Sequence, residues 1–561
     1  MSADNIEDQL GEMFGYSDME EANTSSSSGS DEEANASSSG SDEEESSDDN
    51  EVSSQADSAA PAEPEGWTAA GSLPSFPFTN IGLFSVGPAE FPFDFFNLIF
   101  NPTFLSILIN SINSHALRML LESQHPNSGT LSWKDTNEDE IRIFLALLFH
   151  MGHIRVNKLS DYWNTDILFS LNFSKFMSRD RFFSILRNLT FNNPSDPNSF
   201  SNNDPNKFTK HIFNFFNSLM KTLVSPPKNL TIDESVVHWR GQLKIRQYIK
   251  GKRHKYGVKV YVLAHAHNGL TQKMHMYCGV NDVAVRGKGH AEKVVMMLME
   301  DYLNQGHSLY MDNYYNSVTL AEKLIQNRTY VTGTLRANRC RNPVITRAKI
   351  AKGTFLTRYN ARGVCVTNYR DKRNVLMIST EHDSNFVEYI NSYGKVCQKP
   401  NVIAKYNKYM KGVDRKDQML SYYPSSFKST RWYRKVIIHV MEVMLFNSYT
   451  MFVEQKKRQA GDNGTVMSFY KFRLNIIKSL LEKKISKLGG RVTGRPSTSA
   501  KGIHVVEELP KNNNGKTKRK DCRNCLDKRN IRKATCFYCP DCHKKPGLCI
   551  KCFREYHNYS R

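Results

Sequence analysis

The stretch 229–239 reads "NLTIDESVVHW", an aspartate set inside a run of β-formers. Threonine, isoleucine and valine favour extended backbone, so this segment reads as a strand bearing Asp233, an unusual place for an acid. Two further β-rich runs follow, "YGVKVYVLAH" (256–265) and "QKMHMYCGV" (272–280). The pattern then switches to a helix, "HAEKVVMMLMEDYLNQG" (290–306), with Gly306 as its expected stop. The strand "SLYMDNYY" (308–315), the helix "SVTLAEKLIQNR" (317–328) and the strand "YVTGTLRA" (330–337) complete the series. Three strands followed by alternating helix and strand describe an α/β fold, a mixed sheet with helices on its faces.

Upstream, from about residue 90 to 228, the periodicity is helical. "WKDTNEDEIRIFLALLFHMGHI" (133–154) puts acids in the first turn and apolar residues at helical spacing. "SRDRFFSILRNLTF" (178–191) and "KHIFNFFNSLMKTLV" (210–224) repeat it. Residues 341–400 hold short β-like runs, "TFLTRYN", "GVCVTNY" and "NVLMIST", and read as an inserted β-rich subdomain. Helices resume at 404 and run to about 488. The apolar stretch 436–453 carries His439, Glu442 and Asn447, which marks it as a buried core helix rather than a membrane span.

The chain has 561 residues and a formal charge of +20, spread very unevenly. Residues 1–65 hold 20 of its 56 acids, and no Lys or Arg precedes Arg118, so 36 acids face all 76 basic residues from 66 onward. A body that basic suggests a nucleic acid or an acidic surface as partner. The acidic tail contains a near-duplication, "EANTSSSSGSDEE" then "EANASSSGSDEE", a composition unable to bury a core. Ser30 and Ser41 each have an acid three residues on, a pattern that fits kinase targets. No basic-then-apolar leader pattern opens the chain.

Three aspartates stand out: Asp233 in its strand, Asp312 at the end of "LYMDN", and Asp414 in "YNKYMKGVDRKDQML" (406–420), with Asp417 one helical turn later. Strand ends and an adjacent helix can converge on one sheet edge, where gathered acids repel unless a hard cation lies between them. Such oxygen-rich sites suit Mg²⁺ (or Mn²⁺) bound through carboxylates and substrate phosphates. Taken singly, each Asp also fits a turn or cap role.

The run 240–257, "RGQLKIRQYIKGKRHKYG", offers Arg240, Lys244, Arg246, Lys250, Lys252, Arg253 and Lys255 as a hairpin lying along DNA. Lys428 and Arg431, near Trp432, and Arg336 and Arg339, after the last sheet strand, are further candidates. Trp432 itself reads as a core or interface anchor.

Seven of the 11 cysteines fall between 522 and 552. Cys522, Cys525, Cys539, Cys542, Cys549 and Cys552 form x2-spaced pairs, which with His557 suit two tetrahedral Zn²⁺ ions in a reducing compartment. Cys536 and His543 compete for the eighth place. Cys278, Cys340, Cys365 and Cys397 lack ligand spacing. The basic run Lys516–Lys520 fits either a nuclear import signal or a DNA-touching linker.

The blocks "IDESVVHWRG", "KYGVKVYVL", "YMDNYYNS" and "YNKYMKGVDRKDQMLSYY", with "RWYRK" and the C-terminal "CFREYH", closely resemble the piggyBac-type transposases from about residue 90 onward. The resemblance implies an RNase H-like catalytic core, with the catalytic aspartates at Asp233, Asp312 and Asp414 and an additional acid at Asp417. It further implies cut-and-paste transposition through a hairpin intermediate at TTAA targets, a homodimer, a nuclear location and a flanking helical domain for dimerisation and DNA binding. In the family pattern Cys539 and Cys542 form the aromatic-led pair, which makes Cys536 the first choice as the spare thiol.

The expected organisation is an acidic region 1–75, helical segments 90–228 and 424–488, catalytic segments 229–340 and 401–423, and an insertion 341–400. A basic linker 489–520 and a zinc-binding domain 521–558 complete it. Two other readings stay open: a domesticated relative that binds DNA without transposing, and a RING-like ubiquitin-ligase element in which the aspartates are incidental.

Overall fold

The computed structural model describes residues 66–80, 87–122, 133–169, 171–192, 206–249, 252, 254–390, 394, 396–425, 427–460, 466–487, 506–512, 515–540, 542 and 544–557. The tail with Ser30 and Ser41, the residues Lys250, Arg253 and His543, and the linker 488–505 lie outside the described residues. The chain divides into two compact units, Met1–Lys484 and Ile485–Arg561.

The larger unit is organised on a ten-stranded sheet. Its centre is β2 (Asn229–His238), which pairs antiparallel with β4 (Tyr256–His265) and parallel with β6 (Ser308–Met311). β4 also pairs with β3 (Arg246–Tyr248) and β5 (Thr271–Met276), and β6 pairs parallel with β7 (Tyr330–Thr334). Helix α6 (His290–Met299) precedes β6 and α7 (Val318–Gln326) precedes β7. Three antiparallel strands, then helix, parallel strand, helix and parallel strand constitute an RNase H-like core. α6 is shorter than its sequence pattern: it ends at Met299, a 3₁₀ turn covers Glu300–Tyr302, and Gly306 lies beyond with φ +77° against the Pro77 carbonyl.

The β-rich segment after residue 340 extends this sheet. β10 (Asn374–Ser379) pairs antiparallel with β7, β9 (Cys365–Arg370) with β10, β8 (Phe355–Asn360) with β9, and β1 (Trp67–Thr68) with β8. Only β11 (Phe386–Ile390) and β12 (Val396–Pro400) stand apart, as a hairpin.

Helices α1 (Pro92–Ile99), α2 (Pro102–Leu121), α3 (Glu138–His150), α4 (Arg179–Arg187) and α5 (Lys210–Leu223) precede the sheet in sequence. After it come α8 (Asn401–Tyr409), α9 (Gly412–Tyr422), α10 (Trp432–Ala460) and α11 (Phe469–Lys487). α10 is apolar and long, yet 83% of its most apolar window is buried inside the chain. Two of its polar residues, Asn447 and Glu442, are satisfied there. Asn447 bonds the backbone of Thr271, and Glu442 accepts the Ser425 N–H. Fully buried Arg473 of α11 donates to the carbonyls of Phe149 (3.1 Å) and Tyr423 (3.2 Å), and its charge faces Glu442. A guanidinium so placed joins the two sequence-distant halves of the helical region.

The smaller unit has a core made largely of sulfur: Cys522, Cys525, Cys539 and Cys552 with Leu548 and Phe553. Two short ladders frame it, β13 (Glu507–Glu508) with β16 (Phe537–Tyr538) and β14 (Lys520–Asp521) with β15 (Ala534–Thr535). Helices α12 (Arg523–Arg529) and α13 (Ile550–Tyr556) each carry part of the cysteine set.

Candidate active site and metal centres

Strand alternation decides which β2 side chains meet α9. Thr231, Asp233 and Ser235 share one face, and each contacts the α8–α9 segment or its charge: the Thr231 hydroxyl donates to the Met410 carbonyl at 3.2 Å, and Ser235 donates to Asp417. Close approach requires glycine at two points. A Cβ on Gly412 would meet the His265 carbonyl at 2.6 Å and Thr231 Cγ2 at 2.7 Å. One on Gly269 (φ +77°), in the β4–β5 turn, would meet the Gly412 carbonyl at 2.6 Å. The first turn of α9, with Asp414, is thereby pressed onto the sheet.

Register brings in the third acid. Ile232 pairs with Met311 across the parallel β2–β6 ladder, so Asp233 and Asp312 are the next residues on neighbouring strands. Asp312 Oδ1 accepts the Tyr314 N–H at 2.9 Å, which fixes its rotamer at the strand end. Asp233 is 7% exposed. Burial pushes its carboxyl well above the usual range; Lys252 pulls the other way, while Glu234 and Asp414 add to the rise. Burial and the Glu234 charge also raise Asp312. Tyr406 of α8 is pushed up to about 12 by burial, and the charges of Asp312, Asp233 and Asp414 all reach it. The three acids therefore act on one small volume.

Lys252 enters that volume. Its Nζ lies 3.5 Å from Asp233 Oδ2 and 3.3 Å from Asp414 Oδ1. Burial works against this ammonium, but Asp233 and Asp414 outweigh the penalty and hold its pKa above the ordinary lysine value. A cation shared by carboxylates from β2 and α9 is what a divalent ion needs of this donor set, so the residues fit Mg²⁺ or Mn²⁺. Asp417 is engaged elsewhere: both of its oxygens accept the Ser235 hydroxyl at 2.9 Å, and Oδ1 lies 2.8 Å from Lys416 Nζ.

Of the basic residues expected along DNA, Arg240, Lys244, Arg246, Lys255, Arg336, Lys428 and Arg431 are exposed. Lys252 is half-buried and turned to the acids instead. Arg336 Nε donates to Asn313 Oδ1 at 3.2 Å, beside Asp312, and Arg339 donates to the Tyr314 carbonyl at 2.6 Å. Trp432 is half-buried, edge-on to Tyr433. Sequence reasoning passed over Glu234, Ser235 and Lys416. Ser235 carried a signal, two residues from Asp233 on the same strand face; buried Lys416 carried none.

In the smaller unit the ligand atoms gather in two groups, Cys522–Cys525–Cys549–Cys552 and Cys539–Cys542–His557, each within 4.8 Å. First and third pairs share one group, second and fourth elements the other, a cross-braced order. Cys542 Sγ lies 3.3 Å from His557 Nε2, and the other imidazole nitrogen, Nδ1, lies 2.9 Å from the Phe553 carbonyl. That hydrogen bond leaves Nε2 as the metal-facing lone pair. Cys536 falls in neither group; its carbonyl accepts the Leu509 N–H at 2.7 Å.

An RNase H-like sheet with converging acids, followed by a cross-braced cysteine module, defines the class: α/β proteins of transposase type with a zinc finger. Comparison with known proteins agrees. A family described as "Transposase IS4" matches residues 91–449, and a "DDE_Tnp_1-like zinc finger" matches 501–558. The chain belongs to this transposase family, in its piggyBac-type branch. It is 25% identical to the human PiggyBac transposable element-derived protein 3, over 74% of this chain and 70% of that protein. The human Chimeric ERCC6-PGBD3 protein matches at the same identity over 74% of this chain and 39% of its own length. A chain from the cryo-EM structure of a piggyBac transposase synaptic complex with hairpin DNA shares the fold. Its TM-score is 0.63 at 24% identity, covering 84% of this chain and 97% of that one.

Proposed function

We propose that this chain is a cut-and-paste DNA transposase, acting in the nucleus as a homodimer on transposon ends and TTAA target sites through a hairpin intermediate. The observation that carries the reading is the shared cation of Asp233 and Asp414 beside Asp312. Asp233, Asp312 and Asp414 would hold Mg²⁺ or Mn²⁺. Bound there, the metal would polarise the scissile phosphate and favour the ionised form of the attacking oxygen. The protein's own share is positional: β2 and β6 fix two carboxylates in register, and α9 supplies the third. Exposed cations of the 240–255 segment and Arg336 supply sequence-independent contacts to the phosphate backbone. The cysteine module, folded on two Zn²⁺ ions, serves end recognition or protein contacts.

A donor plasmid carrying a tagged element tests this in cells. Excision by wild type, abolished in Asp233→Ala, Asp312→Ala and Asp414→Ala, is the expected result; equal excision by all four proteins would remove the mechanism. A second reading, a DNA-binding protein without transposition, is favoured by the "transposable element-derived" name of the human relative. Under it DNA is bound but never excised, in wild type as in the variants.

A further inference from the structure

Lys416 is completely buried, yet it is a lysine in a helix that carries two of the four acids. Its Nζ donates to Ser235 Oγ at 2.6 Å and lies 2.8 Å from Asp417 Oδ1. The Ser235 hydroxyl, with that lone pair occupied, turns its hydrogen to Asp417, 2.9 Å from both carboxylate oxygens. The three groups close a ring between β2 and α9. Groups facing the ring from α10 include His439, half-buried and sensing both Lys416 and Asp417.

We propose that Asp417 is a positioning residue: its carboxylate is spent on Ser235 and Lys416, and the ring locks α9 at the register that sets Asp414 opposite Asp233. The inference rests on the reading of Asp233, Asp312 and Asp414 as a metal-binding set. A carboxylate whose two oxygens are both taken by a serine hydroxyl and a buried ammonium has a neutralised charge and little to offer a cation. Removing the carboxylate alone strands an ammonium in the core, which shifts the helix. Removing both charges together relieves that strain.

The test is Mn²⁺ binding to the full chain, read by electron paramagnetic resonance and titration calorimetry, with thermal midpoints as the folding control. Asp417→Asn is expected to weaken Mn²⁺ binding by roughly 10–100-fold, as loss of an orienting partner does. Ser235→Ala, which touches no proposed ligand, is expected to weaken it in the same direction. The double variant Lys416→Met/Asp417→Asn is expected to recover to within about threefold of wild type, the mark of strong coupling between the pair. Asp414→Ala should bind no better than background. If the double variant stays as weak as Asp414→Ala, and Ser235→Ala binds like wild type, Asp417 is itself a ligand and the proposal falls. Wild type that binds no Mn²⁺, indistinguishable from Asp414→Ala, would overturn the metal-site reading itself and this inference with it.

Discussion

Asn447 and Thr271 exchange two hydrogen bonds, the amide Nδ2 donating to the Thr271 carbonyl at 2.8 Å and Oδ1 accepting its N–H at 3.0 Å. β5 is an edge strand, and α10 thus supplies from a side chain the pairing that no further strand provides. Asn217 of α5 does the same at Met274, with both bonds at 2.9 Å. The helical region is thereby attached to the sheet by polar as well as apolar contact, and the exposed-edge hazard is removed.

Asn447→Leu should therefore destabilise the larger unit by about 2–4 kcal/mol, because it leaves one donor and one acceptor of Thr271 buried and unpaired. Urea unfolding of the variant against wild type measures this. A change within about 0.5 kcal/mol, the range of ordinary surface substitutions, would show that the edge is satisfied some other way.

Much of this architecture was legible because its signals are local. Alternating apolar residues around Asp233 and the strand-end position of Asp312 announce the core without any partner strand being known. The long-range pairings were not legible. Runs at 355–360, 365–370 and 374–379 are visibly strands, but nothing local says that β10 will pair with β7, so they read as a separate subdomain. Lys252 shows the same limit. In sequence it is one of seven cations in a row; in the fold its chain segment returns over the acids, and only geometry distinguishes it from Lys255. Two zinc sites follow from the x2 spacing, yet the cross-braced sorting of ligands between them needed the fold.

Zinc removal should unfold the smaller unit, since its core is built from the ligands themselves. Purified full chain is expected to release about two Zn²⁺ on thiol modification, with Cys525→Ser and Cys542→Ser each retaining about one. Colorimetric zinc release measures the count. A single ion in wild type, unchanged in Cys542→Ser, would mean that the Cys539–Cys542–His557 group holds none.

DNA affinity should fall steeply with salt, and the exposed cations near the acids should account for part of the slope. Replacing Arg240 and Lys244, both exposed, by alanine is expected to reduce the slope of log Kobs against log salt by about 2. Fluorescence anisotropy with a duplex oligonucleotide over a salt series reads this directly. An unchanged slope would place the DNA path away from the 240–255 segment.

His307 makes the stability of the larger unit depend on pH. It is fully buried at the start of β6, with Nδ1 3.0 Å from the Pro227 carbonyl and Nε2 without a hydrogen-bond partner among the described residues. Burial lowers its pKa to about 4, against the backbone bonds that raise it. The unfolded chain, titrating near the ordinary 6.5, binds the proton more readily than the native state between those values. The stability this neutral ring contributes is therefore complete above about pH 6.5 and is lost as pH falls toward 4. His307→Gln keeps a donor for Pro227 but cannot titrate. Between pH 7 and pH 5 wild type should lose about 2 kcal/mol more than His307→Gln in paired urea titrations. Parallel pH profiles for the two proteins would mean that the buried ring takes up its proton without penalty, and that Nε2 finds an acceptor in solution.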